Sequence, residues 1–434
     1  MNETSPATLR ITRRAADRLR AGHLWVYRTD LDASQELPPA GSLVTVTDSR
    51  NALLGTAIYS STSQIAARLV SPEPALAADD FLDLIHDRLL AALERRRIVA
   101  PLSGEDADVT DAQRLVFSEA DNLPGIIIDR YNDLTLVQLL TQGTANADVR
   151  AVVVNTLREA FPGQLTLWER PDPRIRELEQ LALPPDDGLL FTTSTEEKAP
   201  TTTTFRLNGL RFHYDAAAGQ KTGAFLDQRL NYAAAARAVA ASGKHGRALD
   251  VCTYQGGFAL HLATVCERVT GIDQSRAALE TADWNLSLNP QLAGRVDWIE
   301  ADAFEILRAF DDAHNKPSDK NPTLPMDITT GFDAIVLDPP AFAKSKRALE
   351  GALRGYKELN LRAMRLLSPG GTLITNSCSH HVSLEDFTAT IAAAAADAKR
   401  RVQILEVRAA APDHPEILTL PETRYLKCLI CRVE

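Results

Sequence analysis

From Phe205 onward, short apolar runs alternate with helical stretches, and four of the runs close on a carboxylate. Residues 248–254 contain Asp250, 268–272 lead into Asp273, 296–300 are followed by Asp302, and 334–337 stop at Asp338. Alternating strand and helix signals predict parallel strands joined by crossovers. In an open parallel sheet, ligands bind outside the carboxyl ends of the strands. Four acids at strand ends therefore predict a doubly wound α/β sheet with an acid-lined crevice. The last stop is the sharpest. In Asp338-Pro339-Pro340 each proline lacks an N–H and restricts the residue before it, so no ladder continues there. The plainer alternative is a strand end that Asp338 merely caps.

The spacing narrows the ligand. Asp250 and Asp273 lie 273 − 250 = 23 residues apart, close to the roughly 20 at which an acid reaches a ribose hydroxyl. Asp302 could accept from an adenine amino group while the neighbouring Ala303 N–H donates to the ring. Tyr254 and Gly256 lie in a turn, residues 250–257, that lets backbone approach a ligand where a helix begins, although it is weaker than a full dinucleotide fingerprint. Residues 219–223, GQKTG, lack Walker A spacing, which leaves an NTPase unsupported. Lys221 and nearby backbone donors could still receive a carboxylate or phosphate. A nicotinamide enzyme would explain neither the 338–342 corner nor Ser377-Cys378-Ser379. A methyltransferase uses both. Asp338, Pro339 and Pro340 give a rigid edge for a planar base, Phe342 a ring to stack on it, and Cys378 a nucleophile at the adjacent strand end. Cytosine C5 attacks a methyl sulfonium poorly unless a thiolate first adds at C6. Without that context Cys378 would be a small buried thiol. A metal site at Cys378, His380 and His381 lacks an evident fourth ligand, and no metal is expected.

A chain of 434 residues is too long for one ordinary core. Residues 1–76 read as a cationic helix and a small β-barrel, 77–200 as a bridging helix with an α+β middle domain, and 201–434 as the catalytic domain. A polar linker is expected at 192–204 and a surface insertion at 311–330. The net charge of −10 counts against a generic nucleic-acid binder. Two local clusters oppose it. Arg10, Arg13, Arg14, Arg18 and Arg20 face one acid, Asp17, ahead of Trp25 and Tyr27. Lys344, Lys346, Arg347, Arg354 and Lys357 face Glu350 alone. Five scattered cysteines predict reduced thiols. The N-terminus lacks an apolar leader, and no run approaches the ~20 residues that span a bilayer, so the cytosol is expected and no membrane partner.

RAGHLWVYRTDL followed by GSLVTVTDSRNALLGTAIYSSTSQIAARL resembles the PUA domain, a small RNA-binding module. GQKTGAFLDQR, LDVCTYQGGF, VLDPPAFAKSK, GGTLITNSCS and APDHPEILTLPETRYLKCLICRV are similar to the same family, the PUA-domain-containing class I S-adenosylmethionine-dependent 23S ribosomal RNA cytosine-C5 methyltransferases. The resemblance spans nearly the whole chain and implies a Rossmann-like catalytic domain with Cys378 as nucleophile. It places S-adenosylmethionine near Asp250, Asp273 and Asp302, with Gln228 of the LDQR motif among the cofactor residues. It implies 23S ribosomal RNA, naked or in an assembly intermediate, as partner, and leaves a homodimer open. The threonine-rich linker, the 311–330 stretch and His380-His381 depart from the family. Two alternatives stay open: methylation of a purine at guanine N7 or an exocyclic amine, with Cys378 dispensable, and a non-catalytic RNA-binding ribosome-assembly factor.

Overall fold

Short β-branched runs near the N-terminus pair into a sheet of β1 (Thr8–Arg10), β2 (Trp25–Tyr27), β3 (Leu43–Thr47), β4 (Leu53–Tyr59) and β5 (Ile65–Ser71), in the order β1-β3-β4-β5-β2. The computed structural model from which this is read describes residues 7–99, 110–217, 224–315, 324–343 and 345–434. Helix α1 (Arg13–Arg20) is capped by Thr12 and buries Ala15, Ala16 and Leu19 in the same core as Leu9, Val44, Val46 and Ala57. Helix α2 (Ala78–Val99) follows, and then a second sheet of β6 (Ala112–Phe117), β7 (Ile126–Tyr131), β8 (Leu134–Leu139), β9 (Thr166–Glu169) and β10 (Leu189–Thr192), in the order β10-β9-β8-β7-β6. Phe81, Ile85 and Leu89 of α2 share a core with Ile126, Ile128 and Val137, joined by Leu157 of α3 (Ala147–Ala160).

Helix α4 (Pro173–Glu179) and β10 were not expected, although Asp172 capping α4 ahead of Pro173 is a readable start signal. The 192–204 stretch is strand at both ends rather than linker throughout. Thr192 closes β10, and Thr202 opens β11 (Thr202–Leu207), which pairs with β12 (Leu210–Asp215). Threonine's branched Cβ suits a pleated surface, and Trp168 Nε1 ties the middle of the stretch by donating to the Pro200 carbonyl at 2.8 Å.

By its internal contacts the chain forms two units. One holds Met1–Phe205, Tyr214–Gly223 and Pro412–Thr423, and the other Arg206–His213, Ala224–Ala411 and Arg424–Glu434. The second contains a seven-stranded sheet: β13 (Arg247–Val251), β14 (Arg268–Asp273), β15 (Val296–Glu300), β16 (Phe332–Leu337), β17 (Leu367–Ser377), β18 (Val402–Arg408) and β19 (Lys427–Val433). Its order is β15-β14-β13-β16-β17-β19-β18, with β13 to β17 parallel and β19 antiparallel to both neighbours. Helices α5 (Arg229–Ser242), α6 (Gly257–Ala263), α7 (Arg276–Ser287), α8 (Ala303–Asn315), α9 (Leu349–Leu366) and α10 (Leu384–Ala398) complete it. Strand order reverses between β13 and β16, so their carboxyl ends flank a topological switch point.

Several boundaries differ from expectation. β13 ends at Val251 rather than residue 254, because Cys252 (φ 64) and Tyr254 (φ 52) take left-handed conformations that leave the ladder. α6 stops at Ala263 rather than residue 267, and α5 opens only after a 3-10 turn at Leu226–Gln228. The supposed insertion begins inside α8, where Asp311 is buried between Arg362 and Arg365, and Ile328 joins the core. Residues 316–323 lie outside the described residues. No described helix is long and apolar enough to cross a membrane.

Candidate active site

Asp250 sits one residue before the end of β13, with no exposed surface. Its Oδ2 accepts from Thr253 Oγ1 at 2.5 Å and from the Ala259 N–H at 2.8 Å, tying the following turn to α6. Its Oδ1 has no partner among the described residues, and burial pushes the carboxyl up to about 7. Asp250 thus acts as a strut under the turn, its Oδ2 committed to Thr253 and Ala259. Asp273, the last residue of β14, keeps part of its surface open. Its Oδ2 accepts from the Tyr254 N–H and its Oδ1 from the Ser275 N–H, both at 2.9 Å.

The turn needs its glycine. Gly256 has φ 84, and a Cβ there would stand 3.0 Å from the Trp298 ring. Trp298, on β15 beside Gly271 of β14, was not foreseen. A Cβ at Gly271 would fall 2.4 Å from that ring, so the tryptophan fills the space the glycine leaves beneath the turn. Exposed Asp302 caps α8, its Oδ1 accepting from Phe304 and Glu305 N–H at 2.9 and 3.0 Å, while the Ala303 N–H has no acceptor among the described residues. Spare carboxylate lone pairs on Asp273 and Asp302, the free Ala303 N–H and the Phe225–Tyr254 ring pair (centroids 5.0 Å apart) fit the hydroxyls, amino group and flat base of a nucleoside. A small cavity lined by Phe225, Tyr232, Cys252, Tyr254 and Gly257 continues to Asp338.

Asp338, just past β16, accepts from Gln228 Nε2 at 3.0 Å. Gln228 Oε1 in turn accepts from Asn231 Nδ2 at 2.7 Å, and Asn231 Oδ1 from Arg408 Nε at 2.9 Å. Gln228, expected among the cofactor residues, thus orients Asp338. Asp338 is half-buried and lines the small cavity. Desolvation by burial, then the charges of Asp250 and Asp227, hold its carboxyl well above the usual range against the opposing Gln228 bond. Cys378 follows β17 directly, half-buried, its thiol 3.9 Å from the Pro339 carbonyl oxygen. Burial, then Asp338 and Asp227, push this thiol up to about 12, and Lys427 pulls the other way.

Both flanking serines are fixed. Ser377 Oγ donates to Tyr356 Oη at 3.0 Å, Tyr356 Oη and Ser379 Oγ share a bond of 2.9 Å, and the Ala343 N–H donates to Ser379 Oγ at 3.2 Å. Tyr356 of α9 thereby locks the cysteine corner to the Asp-Pro-Pro segment. Sequence reasoning missed Tyr356 and Lys427, and also Asp227, whose carboxylate accepts from Tyr425 Oη at 2.6 Å. Only Asp227 had a signal, its place in the LDQR motif. Cys252 lines the small cavity, its thiol raised by burial, and Cys428 and Cys431 are buried within β19.

Pro339 is buried and Pro340 exposed. The Phe342 ring lies 5.8 Å from Phe304 and 4.8 Å from Tyr356, so packing claims much of the surface expected to stack on a base. Lys346 and Arg347 are exposed and have no ion pair among the described residues, whereas Arg354 pairs with Glu350 and Lys357 with Asp397. Lys221 and Lys344 lie outside the described residues. The N-terminal arginines are mostly engaged. Arg18 bonds Asp30 and Arg20 bonds Asp48, both at 2.5 Å, and Arg10 and Arg13 lie within 4 Å of Asp32 and Asp17. Arg14 is exposed and unpaired among the described residues. Trp25 donates to Glu119, and Tyr27 to Glu422.

Comparison with known proteins bears on the same segments. Residues 9–72 match the family described as a PUA-like domain, and residues 192–430 match the S-adenosylmethionine-dependent methyltransferases. The chain is 34% identical over 412 residues to a ribosomal RNA large subunit methyltransferase I of Citrobacter koseri, covering 95% of both chains. It is 36% identical over 416 residues to the protein of that name from Pseudoalteromonas translucida, covering 96% of both. Among solved structures, a putative methyltransferase complexed with SAH matches 98% of this chain and 100% of its own with a TM-score of 0.75 and 19% identity, a likeness of fold. A putative methyltransferase from Streptococcus mutans does so at 0.74 and 18%, covering 98% of this chain and 100% of its own. Matching the S-adenosylmethionine-dependent methyltransferases over more than half its length, and the relatives over nearly all of it, this chain is a PUA-domain-containing, S-adenosylmethionine-dependent methyltransferase of the family that includes ribosomal RNA large subunit methyltransferase I.

Proposed function

We propose that this enzyme methylates C5 of a cytosine in large-subunit ribosomal RNA through a covalent adduct on Cys378. The observation that carries the reading is the thiol, held 3.9 Å from the Pro339 carbonyl beside Asp338 at the switch point of the sheet. The names of the relatives and the PUA-like domain support an RNA substrate. S-adenosylmethionine, when bound, supplies an electrophilic methyl group. Asp273 binds its ribose hydroxyls, Asp302 its adenine amino group and the Ala303 N–H a ring nitrogen. Exposed Lys346 and Arg347 meet RNA phosphates.

Cys378 gives up its thiol proton to solvent and Sγ bonds to cytosine C6, which makes C5 nucleophilic. Asp338, whose carboxyl is held well above the usual range by its buried surroundings, donates a proton to N3 as electrons move onto the ring. Once C5 carries the methyl group, its proton leaves to a base. The C5–C6 double bond re-forms, the C6–S bond breaks to return the thiolate, and N3 gives its proton back to the Asp338 carboxylate. Cys378→Ala abolishes methyl transfer while leaving S-adenosylmethionine affinity nearly intact by calorimetry. RNA carrying 5-fluorocytosine traps a covalent complex with the unaltered enzyme, because fluorine cannot leave as a cation. Normal turnover by Cys378→Ala would sink the cysteine mechanism and promote purine methylation.

A further inference from the structure

Lys427 is an unusual place for a charge. It opens β19 opposite Ser377 of β17 and is only 5% exposed. A buried lysine is strongly disfavoured unless its ammonium is fully bonded. Here Nζ has three donors and three backbone acceptors: the carbonyls of Ser379 at 2.7 Å, Val382 at 2.8 Å and Tyr425 at 2.8 Å. Two of those carbonyls belong to the turn that leaves Cys378, and no carboxylate among the described residues shares the ammonium's bonds. Its charge therefore has no paired carboxylate among those residues, at the strand position opposite Ser377, the residue before Cys378.

We propose that Lys427 is a positioning residue for Cys378, whose buried ammonium clamps the 379–382 turn and supplies the positive charge that steadies the thiolate during attack and release.

The inference rests on the reading of Cys378 as nucleophile and adds the charge that this reading needs. The groups facing the thiol are Asp338 beyond β16, Asp227 in the turn before α5, Tyr356 on α9 and Lys427 on β19, with His380 and Tyr425 flanking the same turn. Both carboxylates oppose ionisation of the thiol. Lys427 acts against them, and burial lowers its own pKa to about 8, with Cys378 the opposing influence. The tyrosine and serine bonds hold the corner from one side, and the ammonium holds it from the other.

The test reads the thiol directly, without RNA. Alkylation of Cys378 by iodoacetamide, followed by peptide mass spectrometry between pH 7 and 10, is compared for the unaltered protein, Lys427→Met and Lys427→Arg. The expected result is alkylation slowed roughly tenfold at pH 7 in Lys427→Met, a shift of about one pKa unit, with the difference narrowing as pH rises through about 8 and Lys427 loses its own proton, and with the slowing at pH 7 largely reversed in Lys427→Arg. S-adenosylmethionine binding by calorimetry checks that the catalytic unit is folded. Should Lys427→Met lose that binding, Lys427→Gln, which keeps a donor for the carbonyls without a charge, takes its place with the same expected slowing. An unchanged alkylation profile in the folded neutral variant would overturn the proposal, as would equal slowing in Lys427→Arg, which would leave only a structural role. Neither outcome touches the Cys378 reading, which stands or falls on methyl transfer by Cys378→Ala.

Discussion

Asp250→Asn separates the strut role of that residue from simple burial, and its signature is a dependence on pH. The native carboxyl is pushed up from 3.8 to about 7, so between those values the folded protein keeps a proton that the unfolded chain releases. Fewer protons on the unfolded state mean that stability falls as pH rises through this window and levels off above it. The full span is 7 − 3.8 = 3.2 pH units, about 4 kcal/mol, and the part between pH 5 and 7 is about 3 kcal/mol. Asparagine keeps an acceptor for Thr253 Oγ1 and the Ala259 N–H, but places an amide where Oδ1 has no partner among the described residues. That unmet donor costs about 1 to 3 kcal/mol at every pH. The variant should therefore be the less stable protein at pH 5 and gain about 3 kcal/mol on the unaltered one by pH 8. The two units need not unfold together, so the measurement is hydrogen exchange of the β13 amides, both proteins being compared at each pH. A stability difference that stays constant from pH 5 to 8 would refute the buried, proton-holding carboxylate.

Gly271→Ala should lower the melting temperature of the second unit, since the new Cβ meets the Trp298 ring at 2.4 Å and neither strand can yield freely. The expected cost is about 1 to 3 kcal/mol, with weaker S-adenosylmethionine binding as the turn above Trp298 shifts; unchanged melting and affinity would show that the ring moves aside. Replacing Lys346 and Arg347 together by glutamine should weaken RNA binding and reduce the slope of log affinity against log salt by about 1 to 2. If that slope is untouched, these residues meet no phosphate.

The catalytic half was legible because strand ends announce themselves chemically. Asp338-Pro339-Pro340 ended β16 where expected, and the alternation of strand and helix implied the parallel sheet. What stayed hidden were contacts between residues far apart in the chain. Lys427 reads as one polar position in the strand YLKCLICRV, and only register with Ser377 brings it to the cysteine corner. Tyr356 reads as one aromatic on an amphipathic helix until its hydroxyl is seen between two serines. The boundary errors share a cause. Cys252 and Tyr254 carry side chains that rarely take positive φ, so propensity prolonged β13 through a turn that the Asp250 bonds impose. Asp311 looked like the start of a polar insertion because its partners, Arg362 and Arg365, lie about 50 residues on.

Charge follows the same lesson. The total of −10 suggests an acidic protein poorly suited to RNA, yet much of the relevant charge never reaches solvent. Asp250 is buried with its carboxyl pushed up to about 7, so it does not add its full charge to the surface field at neutral pH, and the carboxyl of half-buried Asp338 is shifted in the same direction. The arginine run at the N-terminus misleads in the opposite direction, because Arg18 and Arg20 are bound by Asp30 and Asp48 as parts of the first sheet's framework. Within the two basic clusters, the cations without carboxylate partners among the described residues are Arg14 in one unit and Lys346 with Arg347 in the other. The last two follow the Asp-Pro-Pro segment by only a few residues, so a phosphate bound there lies within a few residues' reach of the cysteine corner. Phosphate contacts fix register without reading sequence, so under the proposed function discrimination among bases falls to the groups around Asp338 and Cys378.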